Sequence, residues 1–294
     1  MATTANAGPG PGERHVLRDL GFATARSGDE LHGSATIVDE MHVPGTEHLR
    51  TSILAIWTDT LAGLLAVDAT SPRVPVTLEL DIHLFRPAPG SGVVHGVGKI
   101  VKSGRTVMVA GVDFTDGGGG PIGFGAASFM AAPDSRLVFT SPTSLGQSIP
   151  EGSRLDAPFA ERAGCERQGP GEAVLARSDQ MFNSSDTVNG GLIALTAEEA
   201  ALSLCPGATL ASLALRYLQP VRMGPTIAVA EVRDGLGRIE VRDDGNDGRL
   251  CVVATSRTFP TQHEARAPAE GPWHEARAPA EGPWHDAMSR KGTL

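Results

Sequence analysis

The sequence predicts an α+β protein built from two copies of one unit, each a curled antiparallel sheet wrapped around a long central helix. Three observations predict it. The chain repeats itself: Leu84-Phe85-Arg86-Pro87 is followed by Gly104-Arg105, and Tyr217-Leu218-Gln219-Pro220 by Gly237-Arg238. The prolines are 133 positions apart (220 minus 87), and so are the Gly-Arg pairs (237 minus 104), an interval that signals duplicated units. Each copy also holds one helical stretch that is apolar nearly all round, and four strand-like segments follow it. Such a helix must be covered on most sides, which a curled sheet achieves.

The first unit opens with a strand over 31–38. A loop with Pro44 and Gly45 follows, and Thr46 is placed to cap a helix carrying Leu49, Ile53, Leu54, Ile56, Trp57, Leu61, Leu64 and Leu65. Residues 74–85 alternate, with Val76, Leu78, Leu80, Ile82 and Leu84 on one face. Pro87 and Gly90 end that strand, and 92–102, 106–114 and 122–130 complete a meander. The run Gly117 to Gly120 reads as a hairpin turn; no lysine or helix follows it, so it is not a phosphate loop.

The second unit repeats this order: a strand over 174–177, a loop with Asn183, and a helix from about 192 to 204 stopped by Pro206-Gly207. Strands over 210–218, 226–233, 238–242 and 250–259 follow. The predicted organisation is a disordered N-terminus (1–13), a first domain (14–132), a Pro- and Ser-rich linker (133–170), a second domain (171–260) and a flexible tail (261–294). In the tail, 263–273 is repeated letter for letter in 274–284. Two copies are too few for a solenoid, and His263, His274 and His285 are too regularly far apart to suggest a metal site.

Composition narrows the function. A net charge of −9 with only three lysines argues against a nucleic-acid partner. Cys165, Cys205 and Cys251 are odd in number and widely spaced, which fits a reducing cytoplasm without a disulfide framework. No signal peptide is read at the start, and no apolar run is read as long enough to span a bilayer. The expectation is a cytoplasmic protein without a membrane or nucleic-acid partner.

One constellation carries chemistry. Asn183 precedes Gly190-Gly191 at a helix start, and Glu198 lies further along that helix. Paired glycines at a helix start let a carbonyl approach free N–H groups, and the helix dipole favours a developing oxyanion. Glu198 sits about 10–12 Å along the same helix at 1.5 Å per residue, too far to serve that carbonyl. A carboxylate from a paired antiparallel unit could reach it. Structural readings fit the same residues: Gly190-Gly191 as a close-packing pair, Asn189 as an N-cap, Glu198-Glu199 and Asp59 as solvated helix carboxylates. His32, His83 and His95 read as strand residues, His42, His48 and Arg50 as loop or surface groups.

An Asn, a Gly-Gly opening a helix and a mid-helix acid, with the Leu-Phe-Arg-Pro and Tyr-Leu-Gln-Pro strand ends, resemble the hotdog-fold acyl-CoA thioesterases of the phenylacetyl-CoA and hydroxybenzoyl-CoA type, here in a tandem double-hotdog form. The resemblance covers roughly 14–130 and 171–259. It implies that one unit's helix start and loop amide hold the thioester carbonyl while the other unit's helix supplies the carboxylate. Carried onto this sequence, Asn183 and Gly190 hold the carbonyl, Gly191 borders the substrate, and Asp59 is nucleophile or general base. A second, degenerate site pairs Glu198 with Thr51, where the glycine is missing and Pro44 replaces the amide. The implied reaction is hydrolysis of an acyl-CoA to acid and CoA. The CoA belongs to the substrate, and no metal or other cofactor is implied. The chain would act as a monomeric pseudo-dimer or a homo-oligomer. A non-catalytic acyl-CoA or acyl-carrier binder is the alternative. A hydratase lacks its Asp/His pair, and no Gly-x-Ser-x-Gly elbow is present.

Overall fold

A computed structural model describes residues 15–138, 152–183 and 185–260. The predicted disordered N-terminus, part of the predicted linker and the repeat-bearing tail lie outside the described residues. In chain order the elements are β1 (Ala23–Ser27), β2 (Glu30–Thr36), α1 (Thr51–Thr70), β3 (Pro75–Leu84), β4 (Val93–Ser103), β5 (Val107–Asp116) and β6 (Pro121–Ala131), then α2 (Phe159–Ala163), β7 (Cys165–Gly169), β8 (Glu172–Leu175), α3 (Gly190–Ser203), β9 (Leu210–Tyr217), β10 (Thr226–Arg233), β11 (Leu236–Asp243) and β12 (Arg249–Thr258).

The strands form one twelve-stranded sheet in the order β1-β2-β4-β5-β6-β3-β9-β12-β11-β10-β8-β7. Read from its two ends, the sheet runs 1-2-4-5-6-3 and 7-8-10-11-12-9, so each position in one half has its counterpart in the other. The halves meet where β3 pairs antiparallel with β9, and there Asp81 lies opposite Ala214. Those two residues are themselves 133 positions apart, so the repeat's pseudo-twofold passes through that pair. The two curled sheets expected from the sequence join into one, because β3 and β9 would otherwise each leave a sheet edge unpaired.

Each helix packs mainly on its own half of the sheet, α1 against β2 to β6 and across the junction on β9, α3 against β7 to β12, and the two helices pack on each other. Residues 191–202 of α3 are buried without a break, as the all-round apolar pattern predicts. Each buried Leu or Ile there contributes about 1.5–3 kcal/mol of transfer free energy. At 20 residues, α1 is long and apolar enough to cross a bilayer, contrary to expectation. Its composition is explained by the sheet around it, since Ile53 to Trp57, Leu61, Ala62, Leu65 and Ala66 are all buried.

Three details differ from the sequence reading. Residues 152–170, read as linker, contain α2 and β7; β7 pairs with β8 at the sheet edge and Phe159 of α2 is fully buried. The edge strands β1 and β7 carry no apolar alternation to betray them. Thr46 does not cap α1: the residue at the cap is Arg50, without a side-chain cap bond. Thr46 instead closes the preceding loop, its hydroxyl donating to the Val43 carbonyl at 3.0 Å. Finally, β3 carries a bulge between Thr77 and Glu79. An extra residue shifts the alternation by one, so Val76 is left exposed while Leu80 and Ile82 are buried, and Thr77 turns toward α1. A register shift in β9 skips Ala211, 133 positions after Leu78, so both halves carry the irregularity.

Candidate active site

Both helices begin at corresponding residues, Thr51 and Gly190, and both carry an acid eight residues on, Asp59 and Glu198. Antiparallel packing brings the middle of each helix to the start of the other. The contact is measured directly on one side: the Ser52 N–H of α1 donates to Glu198 Oε1 of α3 at 3.1 Å, and the Ser52 hydroxyl to Glu198 Oε2 at 2.6 Å. Glu198 therefore caps α1 from across the interface, satisfying a helix-start donor that no local side chain serves.

That side is closed. The Arg50 guanidinium donates to Glu198 Oε2 at 3.4 Å and forms an ion pair with Glu199. Arg167 Nε lies 2.6 Å from Glu199 Oε2. Arg50, Thr51, Ser52, Glu198 and Glu199 are all buried. Burial pushes the Glu198 carboxyl above the usual carboxylate range, against the Arg50 charge and the Ser52 bonds. The Thr51 hydroxyl, at the position expected to replace a glycine, donates to the Leu210 carbonyl at 2.8 Å. The neighbouring histidines brace the loop beyond β3: His42 Nε2 lies 2.7 Å from the Gly90 carbonyl and His48 Nδ1 3.3 Å from that of Ala88. Side chains thus surround the start of α1 on this side.

The other side is built differently. Asp59 is part-buried, and its Oδ1 accepts from the Thr77 hydroxyl at 3.2 Å. The bulge in β3 is what aims Thr77 there. Burial raises the Asp59 pKa from 3.8 to about 6, partly offset by the Thr77 bond. Such a carboxylate is ionised at neutral pH yet basic enough to accept a proton. Across the interface α1 and α3 touch at Ile56 and Gly191: a Cβ on Gly191 would stand 2.4 Å from Ile56 Cγ1 and 3.2 Å from Ile56 Cα. Ile56 is three residues before Asp59, on the same face of α1.

At the α3 start the predicted residues divide. The Gly191 N–H, expected at the substrate, donates instead to the Asn189 side chain at 2.8 Å. Gly191 is therefore a close-packing glycine and Asn189 an N-cap. Among the described residues nothing accepts from the Gly190 N–H, and the same is true of the Thr51 N–H at the start of α1. Asn183 lies in the preceding loop, where its Oδ1 accepts from Ser185 N at 2.9 Å and from the Thr187 hydroxyl at 3.0 Å. That carbonyl oxygen shapes the loop, while the side-chain NH₂ is not used by those bonds.

Sequence reasoning missed one residue here. Tyr217, at the end of β9, donates its hydroxyl to the Gly190 carbonyl at 2.9 Å. Burial holds its phenol protonated, reinforced by the charges of Asp59 and Asp81. Tyr217 thereby ties the end of β9 to the start of α3. Its signal was visible: it is the chain's single tyrosine, where the first repeat has Leu84. Among the described residues no group of three or more His, Cys, Asp or Glu could hold a metal ion.

The chain was compared with known proteins. Residues 51–122 match the Thioesterase superfamily, a span that begins at the first residue of α1 and includes Asp59 and Thr77. No curated protein sequence matches the chain. Among solved structures it is similar to a 12:0-ACP thioesterase from Umbellularia californica (TM-score 0.59, 13% identity, 81% of this chain and 100% of that one). It is also similar to an acyl-ACP thioesterase from Bacteroides thetaiotaomicron (TM-score 0.54, 15% identity, 78% of this chain and 98% of that one). At these identities the likeness establishes the fold, and it extends over both halves.

Proposed function

We propose that this chain, a hotdog-fold protein of the thioesterase superfamily, is a tandem double-hotdog thioester hydrolase with one working site composed from both halves. The observation that carries this reading is the contrast across the pseudo-twofold. Glu198 lies on the α1 start and is consumed by it, whereas Asp59, its counterpart, is held only by Thr77 among the described residues.

In this reading the thioester oxygen takes up the Gly190 N–H, supported by the α3 dipole and the Asn183 amide. Asp59 draws a proton from a water whose oxygen attacks the carbonyl carbon. The oxyanion of the tetrahedral adduct is stabilised at the helix start, a contribution typically of about 10²–10³ in rate for one donor. Collapse breaks the C–S bond, and the proton held by Asp59 goes to the leaving thiolate. Direct attack by the Asp59 carboxylate would give an acyl anhydride that water then opens. We assign the thiol as CoA; the ACP thioesterases of similar fold make an acyl carrier protein the second candidate.

The test is thiol release from acetyl-, hexanoyl-, palmitoyl- and phenylacetyl-CoA and from a hexanoyl carrier protein, for wild type and Asp59→Asn. Wild-type turnover lost in the variant supports the site. Equal rates would place the chemistry elsewhere, and tight binding without turnover would make the chain an acyl-thioester binder. Turnover confined to the carrier-protein substrate would correct the assignment of CoA.

A further inference from the structure

Tyr217 ends β9 with the same parity as the buried Leu213 and Leu215. Its hydroxyl oxygen stands 3.0 Å, and ring carbon Cζ 3.3 Å, from where a Cβ on residue 190 would lie. Gly190 is not among the glycines with positive φ, so its backbone alone does not require glycine. The phenol requires it, because it occupies the side-chain space.

The bond Tyr217 makes is to a particular peptide. The Gly190 carbonyl and the Gly191 N–H belong to one peptide unit. Tyr217 holds the oxygen at 2.9 Å and the Asn189 side chain holds the N–H at 2.8 Å. Both polar atoms of the first helical peptide are thus clamped from outside the helix. The Gly190 N–H belongs to the preceding peptide, whose Asn189 carbonyl accepts from the Leu192 and Ile193 N–H groups; among the described residues nothing accepts from it, and it joins the clamped peptide through the Gly190 Cα that the phenol covers. In the closed half Leu84 occupies the corresponding strand position and cannot donate, and Thr51 there bonds the Leu210 carbonyl instead. The clamp belongs to the open side.

We infer that Tyr217 is a positioning residue: by holding the Gly190 carbonyl and covering the Gly190 Cα it fixes the start of α3, and with it the place of the Gly190 N–H relative to the thioester oxygen. The inference rests on the thioesterase reading of this site. Misplacing a preorganised donor costs more in the transition state than in the ground state, so its loss appears in kcat and not in KM.

The experiment uses Tyr217→Phe, which keeps the ring and removes the hydroxyl. Turnover of the best acyl-CoA from the panel is compared with binding of the matching S-alkyl-CoA thioether, which has no carbonyl to orient. The expected result is a kcat lower by about tenfold or more, with KM and thioether affinity within about twofold. A kcat within about twofold of wild type overturns the inference, as does a parallel loss of thioether binding, which would mark a collapsed pocket. A wild type inactive on every thioester overturns the thioesterase reading and this inference with it. Asn189→Ala, which frees the other end of the same peptide, carries the same expectation if the phenylalanine variant does not fold.

Discussion

Asp59 is expected to cost the protein stability at the pH where it serves. Its carboxyl titrates at about 6 in the fold and near 3.8 when free, because burial penalises the charged form. Between those values the folded state keeps a proton that the unfolded chain has released. Stability is therefore highest below about 3.8, falls as pH rises through that window, and levels off above about 6. The gap corresponds to at most about 3 kcal/mol. Because the group is only part-buried, solvent screens it, and about 1–2 kcal/mol is the working figure. Asp59→Asn keeps the shape and can still accept from Thr77, but it never ionises. The variant should lose activity and gain about 1–2 kcal/mol of stability at pH 8, with little or no gain near pH 4. Urea denaturation of both proteins at several pH values reads the difference directly. A variant no more stable than wild type at pH 8, or a gain equal at both pH values, would refute the account of Asp59 as a desolvated carboxylate.

Other perturbations probe the neighbouring contacts. Thr77→Val removes the hydrogen bond that lowers the Asp59 pKa, so the acid limb of kcat/KM should move above its wild-type midpoint of about 6; an unmoved or lowered midpoint in a pH–rate profile contradicts the pairing. Glu198→Ala strips the cap from Ser52 and one partner from Arg50, and should destabilise by about 2–4 kcal/mol in chemical denaturation. Activity per folded molecule should hold, and its loss would show that the closed side also turns over substrate. Gly191→Ala places a methyl against both the side chain and the backbone of Ile56. That should cost about 1–3 kcal/mol of strain, more than the roughly 1 kcal/mol that alanine gains in a helix, and a thermal melt would show the net loss.

At the two helix starts a few residues make the difference. Thr51 in place of Gly190 and Arg50 in place of Asn189 change the helix start. The longer Glu198 reaches the partner helix amide, where Asp59 is retained by Thr77. A buried ion cluster is weak evidence for stability by itself, and its counterpart residues in the other half form no such cluster among the described residues.

The sequence by itself determined the repeat interval and the order of the two long helices and of the four strands that follow each. These are local facts: apolar periodicity, Gly and Pro punctuation, and counting along one chain. Nothing local reveals that Ser52 and Glu198 meet, since their bond spans 146 residues. The bulge in β3 was equally hidden, because alternation predicts Val76 inward and only the pairing with β6 shows Thr77 there. At the helix starts Asn189 takes one amide locally, as the sequence allows, whereas Glu198 taking another and Tyr217 holding the Gly190 carbonyl were decided by packing. Periodicity places a residue on a face of its own element. Which group it meets across the interface depends on how two distant elements dock, and that is settled by the tertiary structure.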